Sequence, residues 1–240
     1  MICLPRHMVL VFILMQFTLT GQTVFYKHYS VNDGLPGNCI RSVYKDSRGY
    51  LWITTDNGVS RFDGRNFENY STSEGLAGLR VWAITEDWLG NIWFGTYGHG
   101  ISVFDGKQFH NYNSGNSNLP TDYIRTLACF DDTALVYVGS EKGVSVFNGE
   151  TFELLDLPPG KNKDLIRVMD FQQKDDKLFI AFYTSGLSSA IISLDPKTMK
   201  YEGFIDKNNI EPGLDFDHLH VSKMLHAGSR FIYSLNRLGV

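Results

Sequence analysis

Arg41, Trp82, Arg125 and Arg167 are the residues whose type and spacing best suit ligand recognition. Each directly follows a β-branched residue, Ile40, Val81, Ile124 or Ile166, at the start of a short apolar segment. A guanidinium group donates planar, paired hydrogen bonds to carboxylate or sulfate, and an indole offers a broad aromatic face for a sugar ring. Gathered into one ring, three arginines and a tryptophan would suit an anionic or a sugar ligand; by spacing, Ser222 takes the fifth place. The competing reading pairs these side chains with turn carboxylates such as Asp46, Glu86 or Asp87.

Other candidates resolve into structural roles. Asp215-Phe216-Asp217-His218-Leu219-His220 alternates acids and imidazoles, a mixture able to bind a metal. It forms no complete ligand set of recognised spacing, so a solvated loop insertion is expected. Asp63, Asp105 and Asn148 each precede a glycine and are expected to form Asx turns rather than to hold calcium. The stretch Gly95-Thr96-Tyr97-Gly98-His99-Gly100 reads as a strand-to-strand turn. No Gly-Lys-Ser/Thr phosphate loop, His-Glu-x-x-His or Gly-x-Ser-x-Gly occurs. The sequence therefore assigns no catalytic residue, no metal site and no cofactor.

The elements that must position these residues are repeated. Phe62-Asp63-Gly64 returns as Phe104-Asp105-Gly106 and as Phe147-Asn148-Gly149, at steps of 42 and 43 residues. Gly58-Val59, Gly100-Ile101, Gly143-Val144, Gly186-Leu187 and Gly239-Val240 form a second series, and Trp52, Trp93, Tyr137, Phe179 and Tyr233 a third. Within the first unit, Ile40 to Tyr44, Tyr50 to Thr55, Val59 to Phe62 and Phe67 to Tyr70 read as four strands. They are separated by Asp46-Ser47-Arg48-Gly49, Asp56-Asn57-Gly58 and Asp63-Gly64, where Asx and Gly accept tight turns. Four strands at a period of about 40 to 45 residues mark the blades of an all-β propeller. Units start near 40, 81, 124, 166 and 221, which gives about four complete blades and a truncated fifth in an open or partial ring. Ahead of them, Tyr26-Lys27-His28-Tyr29-Ser30 has the form of Phe67 to Ser71 and is expected to be an outer strand without a blade of its own.

Three segments also resemble the two-component regulator propeller repeat: Tyr29 to Pro36, Asp46 to Ile53 and Gly58 to Gly64. The second unit is similar through Glu86 to Thr96, whereas Leu194-Asp195-Pro196 departs from Phe-Asp-Gly in the fourth. The resemblance implies the extracytoplasmic sensor region of a bacterial signalling protein. It also implies a downstream propeller, a membrane span and a histidine kinase beyond this sequence, and often an oligosaccharide ligand.

The rest of the composition agrees with export. Arg6 and His7 precede an apolar run from Val9 to Leu19 and the small and polar Thr20-Gly21. That order predicts a signal peptide over residues 1–21, with residues 22–240 as the N-terminal part of the propeller. Cys39 and Cys129 would remain, either as free thiols or as one disulfide. A net charge of −4 gives no general attraction to nucleic acid. The expected function is ligand sensing by a periplasmic or extracytoplasmic domain, without enzymatic activity in this chain. Its expected partners are an oligosaccharide or other small ligand, the downstream domains and, in the full-length context, a second copy. The alternatives are a scaffold propeller without a small ligand, and a propeller glycoside hydrolase or lyase, which would need two converging carboxylates.

Overall fold

The computed structural model describes residues 26–130, 134–156, 166–184, 189–205, 219–227 and 230–237. The expected signal peptide lies outside these residues, as do Asp215 to His218 of the acid–imidazole cluster.

Each unit folds as an antiparallel meander. Blade 1 contains β1 (Ile40–Lys45), β2 (Leu51–Thr55), β3 (Gly58–Phe62) and β4 (Phe67–Tyr70), hydrogen-bonded in that order. Blade 2 contains β5 (Val81–Glu86), β6 (Ile92–Thr96), β7 (Ile101–Phe104) and β8 (Phe109–Tyr112). Blade 3 contains β9 (Ile124–Cys129), β10 (Val136–Ser140), β11 (Gly143–Phe147) and β12 (Phe152–Leu154). In blade 4 the strands are longer: β13 (Ile166–Lys174), β14 (Lys177–Thr184), β15 (Ser189–Asp195) and β16 (Lys200–Ile205). A fifth sheet consists of β17 (Leu219–Ala227) and β18 (Arg230–Arg237). The first strands of successive blades touch, β1 to β5, β5 to β9, β9 to β13 and β13 to β17, so these strands line the axis.

The core lies between blades. Trp52, Val59 and Tyr70 of blade 1 pack on Val81, Ile84 and Phe94 of blade 2. Trp93 and Ile101 of blade 2 pack on Ile124, Val136 and Phe147 of blade 3, and Tyr137 and Val144 meet Val168, Phe171 and Ile180 of blade 4. Burying such apolar side chains on both faces is what holds four short strands together, at roughly 25 cal/mol per Å² of surface removed from water. Among the described residues none gives blade 1 such cover on its leading face. Ile40 and Val43 are 41% and 59% exposed, whereas Val81 and Ile84, their counterparts in blade 2, are 0% and 8%. The blades thus form an open arc.

One triad repeats along the outer edge. Tyr70 leaves blade 1 to pack on Phe104 and Phe109 of blade 2, at ring separations of 5.3 and 5.7 Å. Tyr112 packs in the same way on Phe147 and Phe152. Tyr29 does so on Phe62 and Phe67, at 5.3 Å from each. Tyr29 therefore holds against blade 1 the place of an outer-strand tyrosine, as the repeat predicts. Residues 26–30 nevertheless carry no strand pairing, which corrects the expected outer strand. The turn that follows is duplicated as well. Ser30 with Asp33 and Ser71 with Glu74 form reciprocal capping boxes, each closed by a left-handed glycine, Gly34 or Gly75.

Candidate ligand-binding site

The candidate side chains are aimed by a backbone irregularity. In β1, Ile40 pairs with Thr55 and Ser42 with Thr54, so Arg41 is an extra residue, a β-bulge. Trp82 is bulged in the same way between Val81 and Ala83, Arg125 between Ile124 and Thr126, and Ser222 between Val221 and Lys223. A bulge re-aims the side chain it carries and sharpens the local twist. It thus explains how one position of each first strand projects at the same end of the axis.

Blade 4 departs from this pattern. Its register shift falls between Val168 and Asp170, so the bulged residue is Met169 rather than Arg167. Packing gives the same alignment. A Cβ on Gly95 would lie 2.6 Å from Ile124 of the next blade, and one on Gly139 would lie 2.7 Å from Val168. Val168 is fully buried, as Ile124 is. Arg167 therefore sits two residues ahead of the ring position, because the blade 4 hairpin is longer than the repeat spacing suggests. In blade 5 the same register places Ile232, not Tyr233, at the position of Trp52.

The structure joins Arg41, Trp82 and Arg125 into one cluster. The guanidinium carbons of Arg41 and Arg125 lie 5.4 and 5.0 Å from the centre of the Trp82 ring system, within the range of cation–π attraction. Tyr97 stacks on Trp82 at 4.4 Å, and Tyr123 meets Tyr97 edge-on at 4.9 Å. Each arginine is also ion-paired. Arg41 donates from Nε and Nη2 to Asp56, at 2.8 and 2.6 Å, and Arg125 donates to Glu141. The Arg41 pair, helped by the Cys39 thiol, holds the Asp56 carboxyl below the usual carboxylate range. Neither Cys39 nor Cys129 forms a disulfide.

Asp56, Tyr97 and Glu141 are equivalent residues, each directly after the second strand of its blade. Backbone bonds tie Tyr97 and Glu141 to the segment that leads into their own blade, Tyr97 N–H to Arg80 O and Glu141 N–H to Tyr123 O, while the neighbouring Gly58 and Gly98 N–H groups reach Leu79 O and Asp122 O ahead of the next blade. Sequence reasoning missed this second ring, although the phase of the repeat contains it. The carboxylates expected to pair with the arginines do other work. Asp46 accepts the Trp52 indole N–H and Asp87 that of Trp93, both at 2.8 Å, while Glu86 accepts from Ser47 of the neighbouring blade.

Two donors inside the cluster, Trp82 Nε1 and Arg125 Nε, are buried and meet no acceptor among the described residues. Such groups are uncommon in folded proteins and costly, at about 1–3 kcal/mol each. Outside them the cluster presents polar, accessible groups. The side chains of Arg41 and Asp56 are 39% and 34% exposed, and Tyr123 is 42% exposed. The Arg41 and Arg125 guanidiniums are each matched by a carboxylate, so both pairs present donors and acceptors together, and Arg80 stands near enough to Asp56 to act on its carboxyl.

The turn residues behave as expected: Asp63 accepts the N–H groups of Arg65 and Asn66, Asp105 those of Lys107 and Gln108, and Asn148 those of Glu150 and Thr151. Asp195 does the same for Lys197 and Thr198, so the divergent Leu-Asp-Pro keeps the turn.

Comparison with known proteins agrees with this architecture. Residues 34–57 match the family model described as the two-component regulator propeller. The chain is similar to two structures of the extracellular domain of BT4673 from B. thetaiotaomicron, one naming it a one-component and the other a hybrid two-component system. Both are 21% identical, with TM-scores of 0.68 and 0.67, over 88% of this chain and 29% of that one. YCF48 bound to D1 peptide is similar at a TM-score of 0.52 and 10% identity, over 78% of this chain and 58% of that one. The chain thus spans under a third of the length of the BT4673 domain. A comparison with curated proteins gives no match. The fold is a β-propeller arc, of which residues 34–57 match the regulator propeller model.

Proposed function

We propose that this chain is part of the extracytoplasmic, ligand-sensing propeller of a two-component signalling protein, and that the mouth around Trp82 receives a neutral oligosaccharide. The observation that carries the reading is the convergence of bulged Arg41, Trp82 and Arg125, with two buried donors left without acceptors. Tyr97 already occupies one side of the indole, so Trp82 acts as a stiff backing wall. The ligand would instead meet the Arg41–Asp56 pair and Tyr123. A guanidinium–carboxylate pair offers both donors and acceptors to adjacent hydroxyl groups, while its neutrality gives little attraction to an anion. The reading is of a binding module rather than an enzyme, with Asp56 and Glu141 each engaged by an arginine rather than facing one another as an acid–base pair.

Calorimetric titration with a panel of neutral and acidic oligosaccharides tests this. A neutral glycan is expected to bind. Trp82→Ala removes the wall on which the Arg41 and Arg125 guanidiniums rest and is expected to cost about 2 kcal/mol, as for a residue at the centre of a binding site, while Arg167→Ala should leave affinity unchanged. Absence of glycan binding, or full affinity in Trp82→Ala, overturns the proposal in favour of a protein-binding scaffold.

A further inference from the structure

A second site lies on the outer edge of the arc, away from the axis. A cavity of about 360 Å³ opens between β3–β4 of blade 1 and the β7–β8 turn of blade 2. Its floor is the Tyr70, Phe104 and Phe109 triad, and its rim carries Arg61, Glu68, Glu74 and Lys107. The volume falls in the range of small-molecule sites.

The repeat supplies an internal control. Between blades 2 and 3 the floor recurs as Tyr112, Phe147 and Phe152. The floor is therefore blade packing, shared by the blade 1–2 and blade 2–3 seams. The charged rim does not recur: Val103 stands where Arg61 does, His110 where Glu68 does, and Glu150 where Lys107 does. The fold accordingly does not need these charges.

The rim groups have bonding capacity to spare. Arg61 and Glu68 are cross-strand partners joined by one ion pair through Nη2. The Arg61 guanidinium lies over the rings of Tyr50 and Trp52, at 4.7 and 5.8 Å. Among the described residues its hydrogen bond to Glu68 runs through Nη2, and none runs through Nε or Nη1. Lys107 has no ion-pair partner among the described residues. Glu74 accepts from Ser71 in its capping box through Oε2, with the Ser73 side chain also bonded to its carboxylate.

We infer that this groove binds a small ligand that carries a carboxylate together with hydroxyl or ammonium donors. The carboxylate would be held by Lys107 and the unused N–H groups of Arg61 as charge-assisted bonds. The donors would face Glu68 and Glu74, and the ligand's apolar face would lie on the aromatic floor. A hydroxy acid such as a hexuronate and an amino acid share this chemistry. The inference stands apart from the axial site and does not depend on it.

The test titrates the full chain with glucuronate and with phenylalanine, each beside a neutral or carboxylate-free counterpart, glucose and phenylalaninol. Tryptophan fluorescence reports through Trp52, and calorimetry confirms. At least one carboxylate is expected to bind in the millimolar range or tighter, its counterpart at least about tenfold more weakly. The probe that binds identifies the source. Lys107→Glu, the residue of the next repeat, is expected to weaken binding by at least about tenfold. It lies in an exposed turn, so it keeps the fold even if Arg61→Val does not. Neither carboxylate binding at about 10 mM, or binding unchanged by Lys107→Glu, overturns the inference. Loss of glycan binding in Trp82→Ala with intact carboxylate binding separates the two sites.

Discussion

Replacing Asp87 by alanine tests how each blade is pinned to its own turn. The Asp87 side chain is buried and serves four donors. Oδ1 accepts the N–H groups of Leu89 and Asn91, both at 2.9 Å. Oδ2 accepts Asn91 Nδ2 at 2.9 Å and Trp93 Nε1 at 2.8 Å. Trp93 is itself only 2% exposed, in the core between blades 2 and 3. Alanine would orphan the indole N–H, at about 1–3 kcal/mol, and remove charge-assisted turn bonds worth roughly 1–2 kcal/mol more. The expected loss is about 2–5 kcal/mol, large for a single substitution. Asp87→Asn keeps one acceptor for the turn but sets an amide against the indole donor, and should cost about half as much. Urea unfolding followed by tryptophan fluorescence measures both. A cycle with Trp93→Phe should give a coupling of about 1 kcal/mol or more. A loss below about 1 kcal/mol for Asp87→Ala, or strict additivity with Trp93→Phe, would refute the reasoning.

Further predictions concern packing and pH. Gly95→Ala places a Cβ 2.6 Å from Ile124 and 3.1 Å from Ala83; it should destabilise by about 1–3 kcal/mol in thermal unfolding, and Ile124→Ala should relieve part of this. The Asp105 carboxyl is held at about 2 by the N–H of Gln108, the ring of His110 and the N–H of Lys107. Its folded value is depressed, so its contribution to stability is present above the unfolded value near 3.8 and lost as pH falls through about 2. Carboxyl carbon shifts against pH should show that midpoint, and a midpoint near 3.8 would remove the turn from the reckoning.

Repeat spacing made much of the fold readable, because a blade can bury its faces only against copies of itself and so keeps its markers in phase. The Asx-Gly turns and the strands of the first three blades follow from local chemistry. Arg167 and Tyr233 were misplaced where strands lengthen, since counting residues assumes a constant hairpin and the bulge follows packing. The partners of the ring were unreadable for a related reason. Asp56 and Glu141 are 15 and 16 residues from their arginines, and only the strand register brings them together. Asp46 and Asp87 stand closer along the chain than that, at the opposite end of the strand.

The central claim is that the mouth around Trp82 receives the ligand. Hydrogen–deuterium exchange with and without a bound glycan tests it most directly. Slowed exchange is predicted in peptides that contain Arg41, Trp82, Tyr97 and Tyr123, with none around Lys107. Protection confined to other segments, or no change on binding, would contradict it.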